Sequence, residues 1–174
     1  MRARALGDWA RRGEKLSTRI YKPLEYDSRL YLFGTRLYNW IQKTFPLLHR
    51  VYFPFLEAAC LHRRADFILG AKRFKAVVRD CAPEVVVSMH AHLNHGYRDL
   101  VMEAMPEKPP VFAIYCGELG DGPGFSRHWV NPEADLFAGP FAETCEAAIS
   151  RGMPEDKVYE AGLLLRPAFF EKPK

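Results

Sequence analysis

The chain has 174 residues, of which 48% are hydrophobic and 26% are charged, and its formal net charge is +4. This length supports one domain with its own core, and the ordinary balance of apolar and charged residues excludes a disordered or collagen-like chain. The four cysteines form no Cys-x-x-Cys pair and no apolar run approaches the roughly 20 residues that cross a bilayer, which argues against a disulfide framework, a zinc knuckle and a transmembrane helix.

The first third of the chain is predicted to be mainly helical. Residues 2–12 carry apolar side chains on one helical side, and Arg29 to Lys43 repeats apolar residues at helical intervals behind the start signal Asp27-Ser28. Leu16 to Tyr21 fits a short strand between them, and the proline-punctuated stretch Leu47 to Leu61 fits a broken helix or a helix pair. Basic residues crowd the first segment, which suits a nucleic-acid or anionic-membrane surface or, equally well, a solvated helix face.

The remainder of the chain alternates helices with short apolar strands. Glu84 to Met89 and Val111 to Tyr115 are continuous apolar runs, which predicts burial on both faces in a parallel sheet covered by helices. The other predicted elements are helices over Asp66 to Asp80, Tyr97 to Met105 and Pro140 to Arg151, and strands over Asp135 to Ala138 and Val158 to Gly162. This alternation predicts an α/β fold with a doubly wound parallel sheet. Ligands bind beyond the carboxyl ends of such strands, where three informative loops fall: His90 to His95, Cys116 to Trp129 and Gly162 to Pro167.

The loop after the first buried strand is rich in histidine, with His90, His92 and His95 within six positions. The H-x-H-x-x-H spacing is similar to the H-x-H-x-D-H motif of metallo-β-lactamase-like hydrolases, so a zinc hydrolase that uses these three residues is one hypothesis. Asn94 stands at the aspartate position, however, and His128 is the only later histidine. The second hypothesis is that neutral imidazoles form hydrogen bonds to, or exchange protons with, a hydroxyl-bearing ligand. We favour this second hypothesis and expect neither a metal nor another cofactor.

Five stretches of the chain together resemble the monogalactosyldiacylglycerol synthase and diacylglycerol glucosyltransferase family. In chain order these stretches are Pro83 to His90 with His95, Phe125 to Trp129, Ala138 to Pro140, Met153 to Val158, and Gly162 to Phe169. The first is similar to the family's PDIIxSxHP…H signature and the last to its GxPVRPxF motif. Ala91 and Leu164 stand where those motifs have proline, and Cys116-Gly117-Glu118 stands where the family has Thr-Asp.

This resemblance implies a Rossmann-like α/β domain over residues 1–174, namely the N-terminal acceptor half of a GT-B glycosyltransferase without its first strand. Such an enzyme moves a hexose from a UDP-sugar to a diacylglycerol-like lipid, and the UDP-sugar binds a donor domain that this chain does not contain. We therefore expect the chain to be inactive alone, with His90 and His95 as candidate catalytic residues. The implied acceptor-site residues are His90, His92, His95, Glu118, Asp121, His128 and Trp129, and Arg166 is implied to face the interdomain cleft.

The resemblance also implies contact with a membrane. The aromatic and basic segment from Arg29 to Phe55 suits a bilayer interface, although its helical spacing is equally typical of a protein core. We expect a lipid acceptor and a membrane surface as partners, no nucleic acid, and a cytoplasmic location at the inner face of the membrane. A non-catalytic lipid- or partner-binding module is the alternative, because half of a GT-B active site is absent.

Overall fold

The computed structural model describes residues 2–12, 16–45, 63–122 and 125–171. The α-helices are α1 (Arg2–Arg12), α2 (Pro23–Tyr26), α3 (Arg29–Thr44), α4 (Ala71–Cys81), α5 (Gly96–Ala104) and α6 (Ala142–Ser150). The strands are β1 (Val85–Ser88), β2 (Val111–Tyr115), β3 (Leu136–Gly139) and β4 (Val158–Glu160). Short 3₁₀ turns span Ala65–Phe67, Ala91–Leu93, Arg127–Trp129, Glu155–Lys157 and Pro167–Phe169. The helix or helix pair predicted over Leu47 to Leu61 lies outside the described residues.

The four strands form one parallel sheet in the order β1-β2-β3-β4. Register is shown by the Cα partners Val85 and Val111, Ala113 and Leu136, and Phe137 and Val158. Helix α5 connects β1 to β2, and helix α6 connects β3 to β4. The predicted α/β class is confirmed: the sheet is all-parallel, flanked by helices and consistent with a Rossmann-like fold.

The core lies between the central strands and the helices that pack on them. Phe112, Ile114 and Phe137 come from β2 and β3 and are almost completely buried, as are Leu100 and Val101 of α5. Burying side chains of this size contributes about 1.5–3 kcal/mol each to folding. The apolar runs that predicted β2 and α5 therefore correspond to the best buried part of the molecule.

Strand β1 differs from its prediction, because it lies at the edge of the sheet. Val85 and Val87 are 53% and 38% exposed, and Val111 beside them on β2 is 48% exposed. The expectation that both faces of this strand are buried is wrong for the face that carries these valines. Only Ser88, at the carboxyl end of β1, is fully buried.

Two further predictions are corrected near the start of the chain. Residues 16–22 form no strand, and Pro23 instead begins α2, because its fixed φ suits a first helical turn. The helix predicted from Asp66 begins only at Ala71, since Gly70 has a left-handed φ of +84°. A Cβ at Gly70 would lie 2.5 Å from the carbonyl oxygen of Asp27, so the two segments approach more closely than any other residue type allows.

Cys81, Cys116 and Cys145 are free thiols, whereas Cys60 lies outside the described ranges. None of the helices in the described ranges is both long and apolar enough to cross a bilayer.

Candidate ligand site at the carboxyl edge of the sheet

Two loops at the carboxyl edge of the sheet build the candidate site. The loop after β1 turns through Ala91–Leu93, and the loop after β2 turns through Arg127–Trp129. Each turn is capped by the side chain that precedes it. His90 Nδ1 accepts from the backbone N–H of His92 at 3.3 Å, and Ser126 Oγ accepts from that of His128 at 3.2 Å. Both caps therefore stabilise the 3₁₀ turns of their loops.

The two loops are joined by Asn94, whose exposed fraction is 0%. Its Oδ1 accepts from Ser88 Oγ, and its Nδ2 donates to the carbonyl oxygens of His128 and Trp129, both at 3.2 Å. Asn131 Nδ2 donates in turn to the Asn94 carbonyl oxygen. We call Ser88, Asn94 and Asn131 the Asn94 network. It connects the end of β1 to the loop that follows β2.

Four of the six histidines lie in the described ranges, and all four meet at this junction. The ring centroids of His90 and His92 are 5.6 Å apart, those of His92 and His128 5.0 Å, and those of His128 and His95 6.2 Å. His128 is buried, His92 and His95 are half-buried, and His90 is exposed. The structure thus unites the four histidines that the sequence singled out, although His128 is 33 positions beyond His95, the nearest of the other three along the chain. We call these four residues the histidine cluster.

His95 has the most perturbed environment in the histidine cluster. Its Nε2 is buried and has no hydrogen-bond partner in the described ranges. Burial, assisted by the nearby charges of Arg63 and His128, lowers the pKa of His95 to about 4. Burial also lowers the pKa of His90, although part of this residue remains exposed to solvent. Both imidazoles are therefore neutral near pH 7.

A neutral imidazole donates from one ring nitrogen and accepts at the other. Since His90 Nδ1 accepts a backbone hydrogen bond, its proton resides on Nε2. The histidine cluster consequently offers both donors and acceptors to a hydroxyl group. In the described part of the chain, no group of three or more His, Cys, Asp or Glu side chains is placed to hold a metal ion.

The other predicted site residues lie in different surroundings. Trp129 is buried in the hydrophobic core, and Arg166 is exposed before the final 3₁₀ turn. Asp121 pairs with Arg151, and the Glu118 carbonyl oxygen accepts from Thr144 Oγ1 of α6. A cavity of about 730 Å³ lies beside them and has no histidine in its lining, which is formed by Leu119, Gly120, Asp121, Phe141, Glu143, Glu146, Ala147 and Ser150.

Helix α3 exposes apolar and basic side chains together. Phe33, Arg36, Trp40 and Lys43 follow one another at three- and four-residue steps, so they share one helical stripe. Phe33 and Trp40 are 63% and 54% exposed. We call this stripe the α3 surface. The interpretation of these aromatics as core residues is thus wrong for Phe33 and Trp40.

Helix α3 contacts the segment before α4, and the same segment carries a residue that acts on the histidine cluster. Tyr31 of α3 accepts a hydrogen bond from the backbone N–H of Leu69 at 3.1 Å. Arg63, near the start of this segment, acts electrostatically on His95. Phe67 and Leu69 of the same segment are also exposed.

Sequence reasoning missed the parts that hold the site together. The sequence presents Asn94 only as a weak substitute for a metal-binding aspartate and Ser88 only as part of the signature of the resemblance, and it gives no reason to single out Asn131 or Arg63. One signal was present, since Ser88 is the single polar residue that ends an otherwise apolar strand. Scans of the sequence against protein-family models and against curated proteins each return no match.

Proposed function

We propose that this chain is the acceptor-side domain of a glycosyltransferase that moves a hexose from a UDP-sugar to the hydroxyl of a diacylglycerol-like lipid. The observation that carries the proposal is the neutral, unpartnered Nε2 of His95 at the carboxyl edge of a parallel α/β sheet. A buried polar atom without a partner costs about 1–3 kcal/mol, so a hydroxyl that hydrogen-bonds to it is bound favourably. Because this nitrogen is closed off from solvent, the ligand reaches it only when neighbouring side chains move.

The reaction needs a base near the acceptor hydroxyl. In the proposed step, the hydroxyl oxygen bonds to the anomeric carbon and its proton passes to a neutral imidazole, for which His95 and His90 are the candidates. The bond between the anomeric carbon and the diphosphate breaks, and UDP leaves with the electron pair. A donor domain outside this chain would hold the UDP, with Arg166 facing the cleft between the domains.

The α3 surface supports delivery of the acceptor from a bilayer. Exposed aromatic residues flanked by Arg36 and Lys43 combine an apolar contact with attraction to anionic headgroups. In the proposal the protein is cytoplasmic and binds the inner face of the membrane, and the lipid passes Arg63 to reach the histidine cluster. This route is supported by the segment before α4, which contacts α3 through the hydrogen bond from Leu69 to Tyr31 and carries Arg63.

The first test measures binding of the chain to vesicles of phosphatidylcholine and phosphatidylglycerol, with and without diacylglycerol. We expect binding to rise with diacylglycerol, and His95→Gln to remove only that increase. The double variant Phe33→Ser/Trp40→Ser should weaken binding to both kinds of vesicle by about tenfold per side chain, since each loses its apolar contact. Phe169→Ser is the matched control, because this aromatic is equally exposed but lies outside the α3 surface.

The second test adds a UDP-sugar-binding donor domain to the chain and follows labelled hexose into the lipid. Transfer that depends on His95 or His90 supports the proposal. Vesicle binding that is unaffected by diacylglycerol contradicts the proposal. Diacylglycerol-dependent binding without transfer from any UDP-sugar contradicts the enzymatic part and favours the non-catalytic lipid-binding module.

A further inference from the structure

Asn94 takes part in four hydrogen bonds that join the two loops of the candidate site to each other and to the end of β1. Both protons of its Nδ2 are used, one on the carbonyl oxygen of His128 and one on that of Trp129. Its Oδ1 accepts from Ser88 Oγ, and its backbone carbonyl oxygen accepts from Asn131 Nδ2. The side-chain amide is therefore satisfied at both ends while it is completely closed off from solvent.

This pattern specifies an amide of this length. Aspartate has no proton to donate to the two carbonyl oxygens and would place a negative charge against them. An apolar residue would leave the same carbonyl oxygens and the Ser88 hydroxyl buried without partners. Asn94 immediately precedes His95, and its side chain donates a hydrogen bond to the backbone carbonyl oxygen of His128. The Asn94 side chain therefore sets the distance between the His95 and His128 rings.

We propose that Asn94 is a positioning residue of this site, which holds the His95 and His128 imidazoles in their edge-to-face arrangement and leaves the Nε2 of His95 for a ligand hydroxyl. The ligand part of this statement rests on the proposed function. The positioning part rests on geometry alone, namely the 6.2 Å separation of the two rings and the bonds that join their loops. Asn94 touches no reacting atom in this arrangement, and it acts through His95.

The test uses the complete chain and follows the histidine ring signals by NMR during a pH titration. In Asn94→Ala, we expect the His95 titration to move upward by at least about one pH unit from its wild-type midpoint, because a loosened loop admits water to the ring. Cross-ring contacts between His95 and His128 should disappear from the spectra. Ser88→Ala removes the hydroxyl that donates to Asn94 and that also lies 3.4 Å from the His90 carbonyl oxygen. It should move the same signal in the same direction by a smaller amount, and it replaces Asn94→Ala if that variant does not fold.

Thr144→Val is the matched control. Thr144 is also completely buried and donates one side-chain hydrogen bond, but its partner is the carbonyl oxygen of Glu118, outside the Asn94 network. A general loss of stability would affect this control as well, whereas a positioning role would leave its His95 titration at the wild-type value. The proposal is overturned if His95 keeps its wild-type titration midpoint in the Asn94 network variants. It is also overturned if Thr144→Val shifts that midpoint by the same amount as they do.

Vesicle binding separates this proposal from the function on which it partly rests. If wild type binds diacylglycerol and the Asn94 network variants keep both the binding and the His95 titration, positioning by Asn94 is wrong and the proposed function stands. If the His95 signal shifts as expected in the variants but vesicle binding by the wild-type chain does not depend on diacylglycerol, the acceptor function is wrong and the positioning role stands.

Discussion

The lowered pKa of His95 makes a quantitative prediction about stability. The imidazole has a pKa of about 4 in the folded protein, against an ordinary value of 6.5. As the pH falls below 6.5 the unfolded chain takes up this proton while the folded chain does not, so acidification favours unfolding. Linkage with these two values gives a loss of about 2 kcal/mol in the free energy of unfolding between pH 7 and pH 5.

The variant His95→Gln isolates this effect, because its side chain does not titrate. Other groups act in the opposite direction: burial raises the pKa values of Asp27 and Asp99, so their protonation favours the folded state as the pH falls. These contributions cancel when wild type and variant are compared at the same pH. We expect the difference between their free energies of unfolding to shift by about 2 kcal/mol in favour of the variant between pH 7 and pH 5.

Urea denaturation followed by tryptophan fluorescence measures this difference at each pH, at constant ionic strength. A difference that stays constant over the interval would refute the reasoning, because it would mean that His95 titrates alike in the folded and unfolded chains. The burial of His95 and its proximity to Arg63 would then be wrong as physical causes of a lowered pKa.

Three further predictions concern the scaffold. Gly70→Ala should lower the free energy of unfolding by at least about 1–3 kcal/mol in urea denaturation, because φ is +84° and the new Cβ would press on the Asp27 carbonyl oxygen. Phe137→Ala should cost about 3–5 kcal/mol in the same assay, since its ring is completely buried at the centre of the sheet. In thiol labelling at mildly alkaline pH, exposed Cys81 should react at once and Cys116 only on unfolding, because burial raises the pKa of the Cys116 thiol to about 12. Prompt labelling of Cys116, or unchanged stability in either substitution, would contradict the packing described above.

Local pattern was sufficient for the elements that supply most of the buried core. The run Val111 to Tyr115 predicts β2 with its observed bounds, and Tyr97 to Met105 predicts α5 to within one residue at either end. The parallel α/β class follows from the alternation of such elements. The histidine loop was likewise visible in the sequence, because three of its residues lie within six positions.

The order of strands, in contrast, is a property of the whole fold. Whether a valine-rich strand is covered on both faces depends on its place in the sheet, and the sequence of β1 is as apolar as that of a central strand although Val85 and Val87 are exposed. The interruption at Gly70 has a similar origin, since what excludes a side chain there is the distant carbonyl oxygen of Asp27.

The candidate site divides in the same way between sequence and tertiary structure. The sequence determined by itself that imidazoles cluster after β1, and that the loop after β2 carries another at His128. That His128 joins the cluster follows from the pairing of β1 with β2, which brings the ends of neighbouring parallel strands together. The role of Asn94 and the lowered pKa of His95 required the tertiary structure, because hydrogen bonds across two loops and burial from several directions leave no periodic signal along the chain.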